Sequence, residues 1–228
     1  MAGHLLSGPG RVGSELMAAR SLSTLPVVTL AGDAVAQIKD TVFDAPAGRV
    51  TGFTLSGRGL LSGPLKQSLP WSGVHSLGHH AVMIRDPGVL TEAAAVVVRR
   101  EAVKGRVLGA KVLTDAGTEV GKVLDVVVEG GTSGRVVGFR IAASRSLATG
   151  ASGSSRRRRR LYVPRGETLA VSGHALVVPA GATLFVAEDL PSFVGQVQAF
   201  HARGDADGHS PEPSEPPNPA DPPKGPLS

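Results

Sequence analysis

Short runs of alternating apolar and polar residues recur along most of the chain, and their apolar members are mainly β-branched. Such runs predict β-strands, and the frequent glycines between them predict turns. In the run 120–127, apolar residues fall on both faces, because Val123 and Val127 lie on the same side as Asp125. We therefore expect part of this strand to be covered on both sides.

Helical patterns are weak. They predict short helices only at residues 14–21, with Ser14 as the N-cap, and at 191–200. Several short strands separated by glycine-rich turns instead predict an all-β fold built as a small barrel or a sandwich.

The chain repeats itself. Residues 35–44 align with 120–129 at an offset of 85, and residues 48–55 align with 134–141 at an offset of 86. Leu69-Pro70 matches Val163-Pro164 further along, and the segments beginning at Gly78 and Gly173 also correspond. A duplicated unit of roughly 80 residues falls within the usual size of one domain. The fold class predicted is all-β, with two tandem small β-barrels.

The ends of the chain differ from this body. Residues 204–228 contain eight of the 17 prolines and no aromatic residue, so they bury too little apolar surface to offset the entropy of ordering. The predicted organisation comprises an N-terminal tail (1–24), a first barrel (25–98), a second barrel (105–188), a short helix (189–203) and a disordered acidic, proline-rich tail (204–228).

The second copy contains Asp115-Ala-Gly-Thr-Glu-Val-Gly-Lys-Val-Leu-Asp-Val-Val-Val-Glu129, then Gly134-Arg-Val-Val-Gly-Phe-Arg-Ile141 and Tyr162-Val-Pro164. These motifs resemble the PRC-barrel domain, the small β-barrel of the photosynthetic reaction-centre H subunit and of the ribosome maturation factor RimM. The likeness covers 107–178 and, less closely, 27–84, where residues 33–36 replace the glycine-containing start of the motif. It implies tandem PRC-type barrels. Since family members serve as non-catalytic docking barrels, it also implies binding rather than catalysis.

Charge is concentrated in one place. The net charge is +5, and without five consecutive arginines the acids and bases balance at 19 each. These candidate anion-binding residues are Arg156, Arg157, Arg158, Arg159 and Arg160. They end a connection of 22 residues that is only 14 residues long in the first copy. Three interpretations of this arginine arm stay open: it binds phosphates, it is solvated, or it binds the acidic tail.

Few other residues are candidates for catalysis or metal binding. The chain has no Cys, which excludes disulfides and thiolate metal sites. His79 and His174 are equivalent, but each follows a turn glycine without a clear ligand set, so exposed turn histidines are expected. Asp40 and Asp125 are also equivalent, and a hydrogen-bonding role on the strands is expected for both. We predict no catalytic residue, no cofactor and no metal, and hence no enzyme.

Trp71 is the single tryptophan, and Arg165 stands at its position in the second copy. A packed role is favoured for it, and the alternative is a partly exposed anchor between the barrels or toward a partner. The sequence predicts no transmembrane helix and no secretory signal, so a cytoplasmic location is expected. The predicted function is non-enzymatic docking of a protein or ribonucleoprotein partner. The alternative is RNA or other nucleic-acid binding through the arginine arm, in ribosome maturation.

Overall fold

The computed structural model describes residues 15–44, 47–59, 63–92, 107–148, 159–166, 171–172 and 175–207. Strand β1 (Leu16–Ala18) comes first. The first copy contains β2 (Pro26–Thr29), β3 (Ala34–Asp44), β4 (Arg49–Ser56), β5 (Pro64–Pro70), β6 (Val74–Leu77), β7 (Val82–Ile84) and β8 (Thr91–Glu92). The second contains β9 (Lys111–Thr114), β10 (Glu119–Glu129), β11 (Val136–Ala143), β12 (Arg160–Pro164), β13 (Val171–Ser172) and β14 (Ala175–Val178).

The two copies have the same strand order. The first sheet runs β6-β7-β2-β3-β4-β5-β8, and the second runs β13-β14-β9-β10-β11-β12. The pairs β2–β7 and β9–β14 are parallel in the two sheets. Each sheet curls into a half-barrel, so the prediction of an all-β chain with two tandem small barrels is confirmed.

The first strand belongs to the second barrel. Residues 14–21 were expected to form a helix and 1–24 a tail, but β1 instead pairs antiparallel with residues 127–129 at the end of β10. Met17 is 1% exposed, and Leu22, which ends the 3-10 turn Ala19–Leu22, is fully buried. The reason is tertiary: the edge of β10 offers unpaired backbone groups, and pairing with them outweighs a weak local helix preference.

Two helices lie among the described residues of the second copy, α1 (Arg145–Ala148) and α2 (Leu190–Asp207). Asp189 caps α2, since its Oδ1 accepts the Ser192 N–H at 2.8 Å, and Pro191 suits the first turn. That hydrogen bond lowers the pKa of Asp189. The helix covers the segment predicted to be helical and continues through residues 204–207, which the sequence placed in the tail. The rest of that tail lies outside the described residues.

Helix α2 packs on the outer face of the second sheet. Phe193 is fully buried against Val127, Val137 and Tyr162, and the rings of Tyr162 and Phe193 are 5.5 Å apart. The neighbouring valines of β10, at positions 126 and 128, point into the main core instead. Both faces of this valine-rich strand are therefore covered, as the sequence predicted.

The two barrels share their core. Buried residues of both copies form one contiguous cluster that includes Val50 and Phe53 from β4 and Val136 and Phe139 from β11. These positions are equivalent in the repeat, so the same faces of the two copies meet. The chain is therefore a fused pair of half-barrels, each covering the apolar face of the other.

Candidate functional site

The barrels meet across a local two-fold axis. The Val50 N–H donates to the Gly134 carbonyl at 2.8 Å, and the Val136 N–H donates to the Gly48 carbonyl at 2.8 Å. Positions 48 and 134 are equivalent in the repeat, as are positions 50 and 136. Each barrel therefore gives and receives the same bond, which is the pattern of a two-fold interface between identical subunits.

Side chains at equivalent positions also reach across to the opposite barrel. The Trp71 indole lies over Gly134, where a Cβ atom would come within 2.5 Å of its ring, and the Arg165 guanidinium lies against Gly48. The sequence placed Trp71 and Arg165 at equivalent positions, and the structure places each on the equivalent glycine of the other barrel. Trp71 is half-buried and packs against the shared core, 6.1 Å from the Phe53 ring. Its contact with a partner remains a prediction.

Further backbone contacts join the copies away from the axis. Leu77 and Gly131 exchange hydrogen bonds in both directions at 2.8 Å, and the Gly130 N–H donates to the Glu15 carbonyl at 2.8 Å. The turn between β10 and β11 is thus held by both β1 and the first barrel.

A cleft of about 200 Å³ opens between the barrels. Residues 40–43 of β3 form one wall, and Asp125 and Val126 of β10 form the other. The 3-10 turn Ala19–Leu22 and the segment 107–108 complete it, and its lining is mostly apolar. Sequence reasoning found nothing that would bring Asp40 and Asp125 together. The structure places both in this one cleft, because the two-fold interface brings the equivalent strands β3 and β10 to its opposite walls.

Asp125 is buried and hydrogen-bonded. It is 3% exposed, and its Oδ1 accepts the backbone N–H groups of Val126 at 2.9 Å and Arg20 at 3.2 Å. Burial raises the pKa of Asp125, while those two backbone hydrogen bonds and the charges of Arg20 and Arg140 oppose the rise. Asp40 is less buried, and its Oδ2 accepts the Thr54 hydroxyl at 3.4 Å. The inter-strand hydrogen bond expected for both aspartates is found for Asp40, whereas Asp125 accepts hydrogen bonds from its own strand and from the 3-10 turn.

The raised pKa of Asp125 predicts a pH-dependent stability. Because the pKa of Asp125 in the folded protein lies above the ordinary value of 3.8, the unfolded chain loses its proton first as the pH rises. This contribution to stability is present below that value and is lost as the pH rises through the folded pKa. Asp125→Asn, whose amide oxygen can accept the same two N–H groups, should therefore be at least as stable as the parent at pH 7. Its advantage should vanish below about pH 4.

Urea unfolding of both proteins from pH 3.5 to pH 8 measures this difference. Asp125→Ala is the companion variant, expected to lose about 2–3 kcal/mol because it removes the acceptor of one buried and one partly buried N–H group. An Asp125→Asn variant as unstable as Asp125→Ala at pH 7 would contradict the account.

The arginine run is only partly described. Arg159 forms an ion pair with Glu188, and its carbonyl accepts the Ala143 N–H at 2.8 Å. Arg160 is exposed and begins β12. Arg156, Arg157 and Arg158 lie outside the described residues. The C-terminal end of the arm is thus fixed to the second barrel, and at least one of its charges is matched by a carboxylate.

The histidines lie in different surroundings. His79 and His80 are exposed in the turn before β7, and the Nε2 atom of His79 lies 2.8 Å from Glu15 Oε1. The exposed turn position expected from the sequence is confirmed for these two, whereas His174 lies outside the described residues. Within the described ranges, no three His, Asp or Glu side chains converge as metal ligands would.

Sequence reasoning missed the other cleft residues, Arg20, Phe43, Leu108 and Val126. They come from four segments far apart in the chain, and no local motif marks them. The available signal was the equivalence of the two aspartates: a repeat that pairs face to face brings equivalent strands together.

A sequence profile of the PRC-barrel domain matches the chain twice, at residues 14–90 and 105–184, which is more than half of its length. The chain belongs to the PRC-barrel family. The first match begins just before β1, so it includes the strand that completes the second PRC barrel. No curated protein sequence matches the chain significantly. None of the described helices of this PRC-barrel protein is both long and apolar enough to cross a membrane.

Proposed function

We propose that this PRC-barrel protein is a non-catalytic docking protein whose paired barrels bind a partner protein at the cleft between them. The observation that supports the proposal is the composition of the cleft: both copies contribute walls, so neither barrel has it alone. A tandem duplication thereby gains a surface that a single barrel lacks.

The size and lining of the cleft suit one protein side chain. Its volume of about 200 Å³ lies below the roughly 300–1,000 Å³ of most small-molecule pockets. Phe43, Val126 and Leu108 supply apolar wall, and Asp40 and Asp125 supply carboxylates beside it. The partner we propose inserts an apolar side chain next to a basic or hydrogen-bond-donating group. A buried anchor of this type carries most of the energy in many interfaces.

Leu108 gives the direct test, since it lines the cleft and is 38% exposed. Leu108→Glu places a charge where the apolar anchor would sit. The matched control is Leu184→Glu, because Leu184 is 70% exposed and does not line the cleft. Both substitutions should change the free energy of unfolding by about 0.5 kcal/mol or less, as exposed positions do.

A photo-crosslinking amino acid at Ser23, which also lines the cleft, would capture the partner in cells of the native host. We expect the crosslinked protein to be lost with Leu108→Glu and retained with Leu184→Glu. Recovery of the same protein at the same yield from both variants would refute docking at the cleft.

The second candidate is binding of RNA or a ribonucleoprotein through the arginine arm, in ribosome maturation as the likeness to RimM implies. It is supported by the exposure of Arg160 at the start of β12, where the arm joins a fixed strand. The ion pair between Arg159 and Glu188 works against it, because this pair must break before Arg159 can contact a phosphate.

Salt dependence tests this candidate. Changing residues 156–160 from Arg to Gln should reduce the slope of log K against log salt by up to about 3.5 for single-stranded RNA, at about 0.7 for each phosphate neutralised. Glu188→Gln should strengthen binding, since it releases Arg159. No retention of the parent on RNA at low salt would exclude the candidate while leaving docking at the cleft intact.

A further inference from the structure

A second, more polar pocket shares no lining residue with the cleft. Its volume is about 330 Å³. Arg135, Arg165 and His201 line it, together with Ala47, Val136, Val137 and Gly166. Among the described residues that line it, none is an Asp or a Glu.

Three separate elements bring the basic groups together. Arg135 precedes β11 and lies opposite Arg49 in the backbone bridge between the barrels. Arg165 follows β12, and its N–H donates to the Val137 carbonyl at 2.9 Å. His201 comes from α2. The position of the helix is set by its apolar face rather than by the pocket.

Phe200, the residue before His201, fixes this part of helix α2. Phe200 packs edge-on against Phe185, with their centroids 5.5 Å apart, and its ring lies near Gly166. The three basic groups are therefore placed by packing and backbone hydrogen bonds, so an incoming ligand would find them preorganised.

The fold holds these positive charges close to one another. Burial and the charge of Arg135 both lower the pKa of Arg165. Two described acids lie nearby. Asp44 lines a small adjoining apolar pocket with Arg165, and its Oδ1 accepts the Ala47 N–H at 3.0 Å. The Glu129 N–H donates to the Arg135 carbonyl at 2.9 Å, and the Glu129 carboxylate accepts the Ser133 hydroxyl. Two guanidinium groups and an imidazole thus line the pocket, whereas neither of these two carboxylates does.

We propose that this pocket, formed by Arg135, Arg165 and His201, binds the phosphate group of a small phosphorylated ligand. One guanidinium group can hydrogen-bond both oxygens of a carboxylate. Two guanidinium groups and an imidazole from three separate elements instead offer a larger set of donors. They match the charge of about −1.5 to −2 and the several acceptor oxygens of a phosphate monoester.

The duplication restricts the site to one copy. Trp71 occupies the position of Arg165 in the first barrel and lies over Gly134 as Arg165 lies over Gly48. The equivalent position of the first barrel therefore has an apolar ring in place of a guanidinium. This asymmetry also supplies a substitution that the interface already accommodates, Arg165→Trp.

Inorganic phosphate is the probe, titrated into the ¹⁵N-labelled full chain at constant ionic strength and followed by amide chemical shifts. We expect saturable shifts at Gly166 and His201. Arg165→Trp and Arg135→Gln should each weaken binding about tenfold or more, because each removes charge-assisted hydrogen bonds. The circular dichroism melting curve of each variant shows whether it is folded.

Three controls decide the outcome. Arg85→Gln removes the same charge from an exposed residue that does not line the pocket, and it should change the affinity less than twofold. Glutamine at all of residues 156–160 should likewise leave binding in place. Acetate should bind at least tenfold more weakly than phosphate. Equal weakening by Arg85→Gln, loss of binding with the arm, or equal affinity for acetate would each overturn the proposal, and none of them bears on docking at the cleft.

Discussion

Residues 105–228, expressed without the first barrel, should show no cooperative unfolding transition. This fragment loses β1, which pairs with β10 and places Leu16 and Met17 in buried positions. It also exposes the core face around Val136 and Phe139 that packs against the first copy. Burying one large apolar side chain contributes about 1.5–3 kcal/mol, so the total loss reaches the roughly 5–15 kcal/mol that stabilises a whole domain.

The matched experiment mixes the two fragments, residues 15–104 and 105–228. Since β1 and both interface strands are then present, mixing should restore the dispersed amide spectrum and the cooperative transition of the intact chain. A cooperative transition in residues 105–228 alone would mean that the second barrel has a sufficient core of its own. The boundary at 98–105 would then separate two independent domains.

Phe193→Ala should destabilise the protein by about 3–5 kcal/mol, the usual cost of removing a fully buried phenylalanine. Phe193 is the main apolar contact between α2 and the second sheet, where it packs on Tyr162 and on the bare backbone of Gly138. Its removal leaves a cavity that neither the strand backbone nor the Tyr162 ring can fill. Urea unfolding with tryptophan fluorescence from Trp71 measures the loss.

Phe43→Ala is the control for that substitution, because Phe43 is only half-buried and packs against the main core, outside the cluster around Phe193. It should cost about 1–2 kcal/mol, in proportion to the smaller apolar area that it buries. If the two variants lose equal amounts of stability, α2 is not held by the contact at Phe193. The helix would then play a smaller part in covering the outer face of β10 than the packing indicates.

Much of the fold could be predicted because its signals are local or repeated. The alternation of valine and polar residues predicted the strands, the 85-residue offset predicted two copies, and the motif beginning at Asp115 indicated the PRC-barrel family. The apolar character of both faces of β10 even predicted that something covers its outer side. Only the packing of Phe193 shows that helix α2 is the element that covers this side.

The predictions that were wrong or incomplete involve contacts between segments far apart in the chain. The expectation of a helix at 14–21 considered local propensity alone, whereas the residues pair with a strand more than 100 positions away. The cleft was missed for the same reason, since Arg20, Phe43 and Leu108 share no motif. Arg159 was assigned with its four neighbours as a single charged run, but Glu188 lies against it in the folded chain.

The sequence by itself determined that this is a duplicated all-β chain, because strand periodicity and repeat spacing are properties of neighbouring residues, and the motif beginning at Asp115 carried the resemblance to the PRC-barrel family. Only the tertiary structure decided how the two copies meet. The two-fold exchange of backbone bonds between Gly48, Val50, Gly134 and Val136 brings equivalent strands face to face. It creates the apolar cleft, which depends on the relative placement of two barrels that no periodicity along either copy encodes. The arginine pocket depends instead on the packing of α2 against the second barrel, since its described lining residues other than Ala47 all belong to that copy.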